Sequence, residues 1–342
     1  MKAICKTQPG VGLQLYEVAE PTLQPGTVLV RVLRTSLCGT DLHIYSWDSW
    51  AQSRLKPPLV IGHEFCGIVE AIGAGVQHLK TGDLVAGESH ITCGVCKPCR
   101  LGQAHVCQNT RILGVDVDGC FAPRIVVPAA NAQKTDPRIP PEVATVQDPL
   151  GNAVHAVLDT PIAGSTVLIT GCGAIGLFSI AVAKACGATR IYATEVRPYR
   201  RQLAEQMGAD RVFDPQVDDV LGIIRRETDG LGVDVALEMS GHPSAIALIT
   251  DAVRPGGHIS LLGLFTQPVA VDLNALIFKA VQIHAILGRK LHATWEAMQS
   301  LLASGQLDIR PAITHILPWQ EYEHAFELTA SGMAGKVVLN WE

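Results

Sequence analysis

What the sequence lacks narrows the field first. Every apolar stretch is broken by a charge or turn residue, as at Lys184 and Lys279, well before the about 18 residues needed to span a bilayer, so no transmembrane helix is expected. Lys6 and Pro9 follow Met1 with no apolar core before them, so no secretory signal is read and the cytoplasm is the expected compartment. There is no block of like charge, and 27 Lys and Arg against 32 Asp and Glu leave a net charge of −5. Without a basic field to hold a phosphate backbone, nucleic acid is not the expected partner. Internal repeats and low-complexity runs are also missing. What remains is a chain of 342 residues, 48% of them apolar, long enough for two domains at roughly 150 residues each.

Ten cysteines stand at 5, 38, 66, 93, 96, 99, 107, 120, 172 and 186. In a reducing compartment they read as thiols or metal ligands, not disulfides. Cys93, Cys96, Cys99 and Cys107 form C-x2-C-x2-C-x7-C in a Gly- and Pro-containing stretch. Four thiolates close a tetrahedron around Zn²⁺ and leave no open position, which describes a structural site. The competing reading is an iron–sulfur cluster, but there the fourth cysteine follows after three residues and precedes proline. Here it precedes Gln108.

A second constellation has the chemistry for turnover. Cys38, with Thr40 and His43 just beyond it, precedes His63 and Glu64. A cysteine, a histidine and one variable partner suit a catalytic Zn²⁺ that keeps a position for substrate oxygen. A threonine hydroxyl that passes a proton to a histidine nearer solvent makes a relay out of a buried site.

From Ser165 onward, short apolar strands alternate with helical stretches: 165–170, 189–195, 211–213, 234–240, 258–264 and 281–287. Nearly continuous apolar strands separated by helices predict a parallel sheet buried on both faces, and six of them suffice for a doubly wound Rossmann domain. GCGAIG at 171–176 follows the first strand and opens a helix over 176–186, and Glu195 ends the second strand. Gly171 permits the tight turn, Gly173 lets backbone N–H groups approach a pyrophosphate, and Gly176 lets helix and strand pack closely. A carboxylate at 195 accepts the ribose 2′-hydroxyl and repels a 2′-phosphate, which favours NAD. Arg197, Arg200 and Arg201, following at once, are the feature that leaves NADP in play.

Gly62, His63, Glu64, Gly67, Gly73 and Val76 spell GHE-x2-G-x5-G-x2-V, which resembles the signature of zinc-dependent medium-chain alcohol dehydrogenases. The C-G-T-D-x-H segment and the four-cysteine lobe resemble the same family. The resemblance implies an α/β protein in which a GroES-like catalytic domain, residues 1–150 and 289–342, carries two zinc sites, and a Rossmann domain, 151–288, carries NAD. It implies catalytic zinc on Cys38 and His63 with Glu64, a relay of Thr40 and His43, and a cleft between the domains for substrate. By the same similarity Ile175 lies under the pyrophosphate turn and Arg200 along the adenosine, with Leu262, Gly263, Leu264, Ile286 and Leu287 near the nicotinamide.

One departure stands out. Where alcohol-oxidising members have a second cysteine ligand, this chain has Asp148 in DPLGNAVHA. Asp148 ligates directly, acts through water, alternates with Glu64, or caps the helix that includes His155; the sequence leaves these open. TDLHIYSWDSWAQ, GESHITCG, ALEMSG and GKVVLNWE narrow the resemblance to members acting on a hydroxy amino acid. They imply oxidation of L-threonine at C3 to L-2-amino-3-oxobutanoate by NAD, in a cytoplasmic homotetramer. Asp148 or Glu64 is the expected partner of the substrate ammonium, and Arg289 that of its carboxylate. Trp47 and Trp50 either wall the pocket or pack an interface. Two rivals remain: a polyol or vicinal-diol dehydrogenase on the same scaffold, and a cofactor-binding protein without catalysis.

Overall fold

The computed structural model describes all 342 residues, Met1–Glu342. They form two compact units: Met1–Asp148 with Lys290–Trp295 and Ile313–Glu342, and Pro149–Arg289 with Glu296–Ala312. No helix is long and apolar enough to cross a membrane.

The first unit is built around the ten-residue strand Thr27–Ser36, whose Val28, Val30 and Val32 point into the core. The β-branched run suits a half-buried pleat. This strand pairs antiparallel with Glu64–Ile72, with Arg124–Pro128 and with Lys336–Asn340. The sheet runs Ala132–Lys134, Leu84–Gly87, Glu64–Ile72, Thr27–Ser36, Lys336–Asn340, Ile313–Pro318. A smaller sheet joins Gln14–Glu17, Lys2–Lys6 and Leu59–Val60. Phe65, Phe121, Ile44, Ile61 and Phe326 fill the core between these elements, each such side chain contributing about 1.5–3 kcal/mol by leaving water. The helix Tyr322–Ser331 packs on the strand Lys336–Asn340, and Trp319 stacks on Trp341 with centroids 5.0 Å apart.

The second unit is the doubly wound sheet. Its six parallel strands lie in the order Arg211–Phe213, Arg190–Thr194, Thr166–Thr170, Val233–Glu238, Val253–Leu261, Gln282–Ala285. The order reverses beside Thr166–Thr170, the switch point at which such sheets bind ligands outside the carboxyl ends of their strands. Asp234 fastens three of the strands at their other end, accepting the Thr166 N–H and hydroxyl at 2.8 Å and Arg254 Nε at 2.6 Å. The α/β expectation holds, and all six expected strands form.

Two local details differ from the sequence reading. The tail from 289 does not return to the first unit as a block, because Glu296–Ala312 groups with the dinucleotide unit. Its segment Arg310–Ala312 packs on the helices Ala174–Ala185 and Pro198–Met207, and Leu307 and Ile309 are buried. Asp148 is not a helix cap, because the helix Gln147–Leu158 has already begun and Asp148 lies in its first turn. A carboxylate there is still favoured by the helix dipole.

Candidate zinc and dinucleotide sites

Cys93, Cys96, Cys99 and Cys107 converge, their sulfurs all within 4.8 Å of one another. Three pairs stand at 3.4, 3.5 and 3.8 Å, close to the about 3.8 Å edge of a tetrahedron with 2.3 Å zinc–sulfur bonds. Backbone N–H groups of Cys93 and Asn109 point at Cys107 Sγ, each at 3.3 Å. The thiols are unequal. Hydrogen bonds led by the Val95 N–H hold Cys93 below the usual thiol range, while desolvation, then Cys96 and Cys107, push Cys99 above it. This donor set fits a structural zinc. Lys97 and Arg100 lie exposed on the short helix between the ligands.

Cys38, His63 and Glu64 form the second group, again with ligand atoms within 4.8 Å. Cys38 caps the helix Gly39–Ser46, and its backbone N–H donates to Asp41 Oδ2 at 2.9 Å. Gly62 makes the turn that delivers His63 and Glu64. Its φ is +87°, and a Cβ would lie 2.1 Å from the Phe121 ring. His63 Nδ1 lies 3.8 Å from Asp41 Oδ1, both atoms buried and otherwise unpartnered. Burial opposes a charged His63, but Cys38, Asp41 and Glu64 outweigh it and raise the ring to about 10. So negative a buried pocket is suited to a cation.

Sequence reasoning missed what orients Glu64. Its Oε2 accepts from Lys336 Nζ and from Ser36 Oγ, while Oε1 is buried and unpartnered. Lys336 also donates to Leu37 O at 2.6 Å. The carboxylate is thus held by one oxygen, and the other is available to a metal. The only signal was a lysine opening the apolar strand Lys336–Asn340.

Asp148 stands outside this ligand group. It is buried, and Oδ1 accepts the Ser89 N–H at 3.0 Å. With burial leading, the fields of Asp41, Glu64 and Asp148 all raise the thiol of Cys120. Thr40 Oγ1 lies 3.7 Å from Cys38 Sγ. His43 is one turn further along the same helix and 58% exposed, so Thr40 and His43 run from Cys38 toward solvent, as the expected relay requires. Trp47 packs on the core under the ammonium of Lys6, 4.9 Å from its ring, and Trp50 is exposed beside His43. Arg289 is buried and donates to Asn152 Oδ1 at 3.0 Å.

In the second unit the glycine turn has the expected form. Gly171 has φ +84°, with Ser240 against its α-carbon, and a Cβ on Gly176 would meet Gly171 O at 1.9 Å. Gly173 caps the helix Ala174–Ala185, and a Cβ there would meet nothing within 4 Å, leaving room for a ligand beside the helix N-terminus. Ile175 and Gly176 lie in that first turn. Glu195 follows directly on the strand Arg190–Thr194, buried, with Oε2 accepting Cys172 N–H and Oε1 Arg197 N–H, each at 2.9 Å. Arg201 is committed to Glu195 O, Val196 O and Asp214 Oδ2. Arg200 has a buried, unpartnered Nε, and its charge reaches Cys172 inside the glycine turn.

Glu238, also unpredicted, closes the neighbouring strand. It is fully buried, and its carboxylate accepts the N–H groups of Ser240 at 2.8 Å and Gly241 at 3.0 Å. Its carbonyl accepts Leu262 and Gly263 N–H, both at 3.1 Å. Leu264 and Leu287 are exposed and Ile286 buried, all three just past the carboxyl ends of their strands. The geometry fits a dinucleotide, with a diol acceptor at Glu195 and a rim at 262–264 and 286–287.

Residues 24–137 match the alcohol dehydrogenase GroES-like domain, and 174–304 match the zinc-binding dehydrogenase family. The chain is 54% identical over 340 residues to L-threonine 3-dehydrogenase of Pyrococcus horikoshii, covering 99% of this chain and 98% of the other. It is 46% identical over 340 residues to that of Bacillus subtilis, with the same coverage. Among solved structures, an alcohol dehydrogenase from Thermus sp. ATN1 superposes with a TM-score of 0.92 at 33% identity, over 99% of both chains. The 2R,3R-butanediol dehydrogenase of Bacillus subtilis gives 0.91 at 26% identity, covering 100% of this chain and 99% of the other.

Proposed function

The chain belongs to the zinc-dependent medium-chain alcohol dehydrogenase family, and from that premise we propose that it oxidises L-threonine at C3 to L-2-amino-3-oxobutanoate with NAD. One observation carries the reading: the 54% identity to an L-threonine 3-dehydrogenase runs over 99% of the chain, so it covers both sites together.

Cys38, His63 and Glu64 would hold a zinc, which would supply Lewis acidity toward an alcohol oxygen, and the glycine turn would hold NAD, which would supply the hydride acceptor. The chain's own residues do the rest. Thr40, beside the ligand sulfur, takes the hydroxyl proton, and His43 carries it to solvent. Asp148 and Glu64 set a negative field suited to the substrate ammonium, and Arg289 supplies a cation suited to its carboxylate. Glu195 selects NAD by accepting ribose hydroxyls, Arg200 lies along the adenosine, and Gly173, Ile175 and Gly176 hold the pyrophosphate. Leu262, Gly263, Leu264, Ile286 and Leu287 border the nicotinamide. Cys93, Cys96, Cys99 and Cys107 keep the second zinc for structure.

The same reading makes the protein a cytoplasmic homotetramer. Exposed Leu273, Ile277, Phe278 and Ile283, on one helix and on the edge strand Gln282–Ala285, support self-association. Light scattering checks it against the chain mass of 36.5 kDa.

The functional test follows NADH absorbance with L-threonine beside 2,3-butanediol, sorbitol and ethanol, with and without chelator. Threonine turnover that leads the panel and falls on chelation supports the reading. Preference for a diol or polyol overturns the substrate assignment while leaving the family intact.

A further inference from the structure

The relay proposed above ends at His43, and the structure gives that histidine a partner. We propose that Asp48 is a positioning residue for the relay: its carboxylate holds His43 in the tautomer that carries its proton on Nδ1 and leaves Nε2 as the proton acceptor. The inference rests on the relay assignment and adds to it what decides the state of the ring.

The local chain geometry builds this pair. The helix Gly39–Ser46 ends at Trp47, whose φ of 56° is left-handed and turns the chain back on itself. Asp48 N–H then donates to His43 O at 3.4 Å, and Asp48 Oδ2 lies 2.5 Å from His43 Nδ1. A non-glycine residue at positive φ is sparsely populated and persists only where its surroundings hold it. Here they do. Lys6 places its ammonium over the Trp47 ring while donating to the carbonyls of Gly10 and Gly12, and Gln52 Nε2 donates to Trp47 O at 2.8 Å. On its other side the His43 ring meets Trp50, centroids 5.9 Å apart and planes at 58°.

The chemistry follows from the donor inventory. An ionised carboxylate only accepts, so a neutral imidazole bonded to it through Nδ1 must keep its proton there. Asp48 is ionised: the Ala51 N–H, then the contacts with His43, hold its carboxyl below the usual range. With Nδ1–H committed, the lone pair is on Nε2, the nitrogen able to receive the proton that Thr40 passes on. An amide in place of the carboxylate donates as well as accepts and therefore permits the wrong tautomer, the effect a triad aspartate prevents in serine proteases.

Asp48 has a second task that the test must separate. Its Oδ1 accepts Ala51 N–H at 3.0 Å and caps the helix Ser49–Arg54. Serine caps helices about as well as aspartate but has no carboxylate for His43. Asp48→Ser therefore keeps the cap and removes the tautomer lock, and Asp48→Asn keeps the cap and the shape.

The experiment measures kcat and KM in the wild type, Asp48→Ser, Asp48→Asn, His43→Gln and the double variant His43→Gln/Asp48→Asn. It uses the zinc-loaded enzyme and whichever alcohol of the panel the wild type turns over, with zinc content and melting temperature as controls. Asp48→Ser and Asp48→Asn are expected to lower kcat about 10- to 100-fold, less than the roughly 10²- to 10⁴-fold worth of a whole general acid or base, with KM for the alcohol, zinc content and melting temperature little changed. In the His43→Gln background Asp48→Asn is expected to change kcat by less than about twofold, since coupled residues do not add. Wild-type kcat in Asp48→Ser overturns the proposal by leaving only a cap. A full additional loss in the double variant overturns it by showing that Asp48 acts apart from His43. An unimpaired His43→Gln removes the relay and the proposal with it, whereas wild-type preference for another alcohol affects only the substrate assignment.

Discussion

The carboxylate of Glu195 and the backbone N–H of Cys172 meet at 2.9 Å, so the acid that follows the second strand is tied to the glycine turn proposed to receive the pyrophosphate. On that proposal, cofactor choice and turn geometry share one side chain. Glu195→Ser is expected to raise KM for NAD about 10- to 100-fold, the worth of one hydrogen bond to a charged group, 1.5–3 kcal/mol. NADP is expected to gain relative to NAD, since Arg197 and Arg200 remain nearby. Steady-state kinetics with both cofactors checks this, and an unchanged NAD/NADP ratio refutes it.

Lys336 is nearly as buried as Glu64, at 3% and 1% side-chain exposure. Lys336→Met leaves a buried carboxylate without its counter-charge, which typically costs about 3–5 kcal/mol. Urea denaturation is expected to show that loss, and Lys336→Arg to recover most of it. A midpoint within error of wild type would mean that Ser36 alone holds the carboxylate.

Zinc stoichiometry separates the two metal groups. Two ions per chain are expected in the wild type and one in Cys99→Ser, by atomic absorption. Asp148→Asn is expected to retain both, because Asp148 lies outside the group of Cys38, His63 and Glu64 and commits Oδ1 to Ser89. It is expected to slow turnover by about tenfold or more. Loss of one zinc in Asp148→Asn would make it a ligand.

His258 Nδ1 and His284 Nε2 are 3.1 Å apart on adjacent strands, and His284 Nδ1 lies 3.4 Å from Asp159 Oδ2. Desolvation, then the charges of His284 and Arg254, lower the pKa of His258. A histidine lower in the folded than in the unfolded state binds its proton more readily when unfolded. Its contribution to stability is complete above about 6.5 and is lost as the pH falls below that value. His258→Gln is expected to flatten the decline of the urea midpoint between pH 7 and 5 relative to wild type. Parallel curves would show that the pair takes up its proton equally in both states.

The features legible in the sequence are those encoded by short spacing. Gly171, Gly173 and Gly176 announce their turn because they fall within six residues, between an apolar strand and a helix, and the four cysteines fall within fifteen. The six strands were legible because burial on both faces leaves runs of apolar residues. Lys336 was not, since its partner is 272 positions distant and nothing local marks a strand lysine as buried. Glu238 looked like an ordinary strand end, level with Thr194 and one position short of Glu195 in register. Asp148 was legible as important, but whether it ligates or stands behind the ligands depends on a backbone N–H from Ser89, 59 residues earlier. Within the tail only Glu296–Ala312 groups with the dinucleotide unit, because Leu307 and Ile309 are apolar enough for either core and only packing chooses between them.

The separation of 272 positions from Glu64 to Lys336 also has a meaning in time. A ribosome adding about 5–20 residues per second makes Glu64 roughly 14–54 s before its counter-ion exists. Through that interval the strand Thr27–Ser36 has no Lys336–Asn340 to pair with, and before the interval ends every strand of the dinucleotide sheet has been made. The nascent chain is therefore ready for its nucleotide before it is ready for its catalytic metal, and conditions that slow synthesis or deplete zinc should first endanger the half of the protein that was begun first.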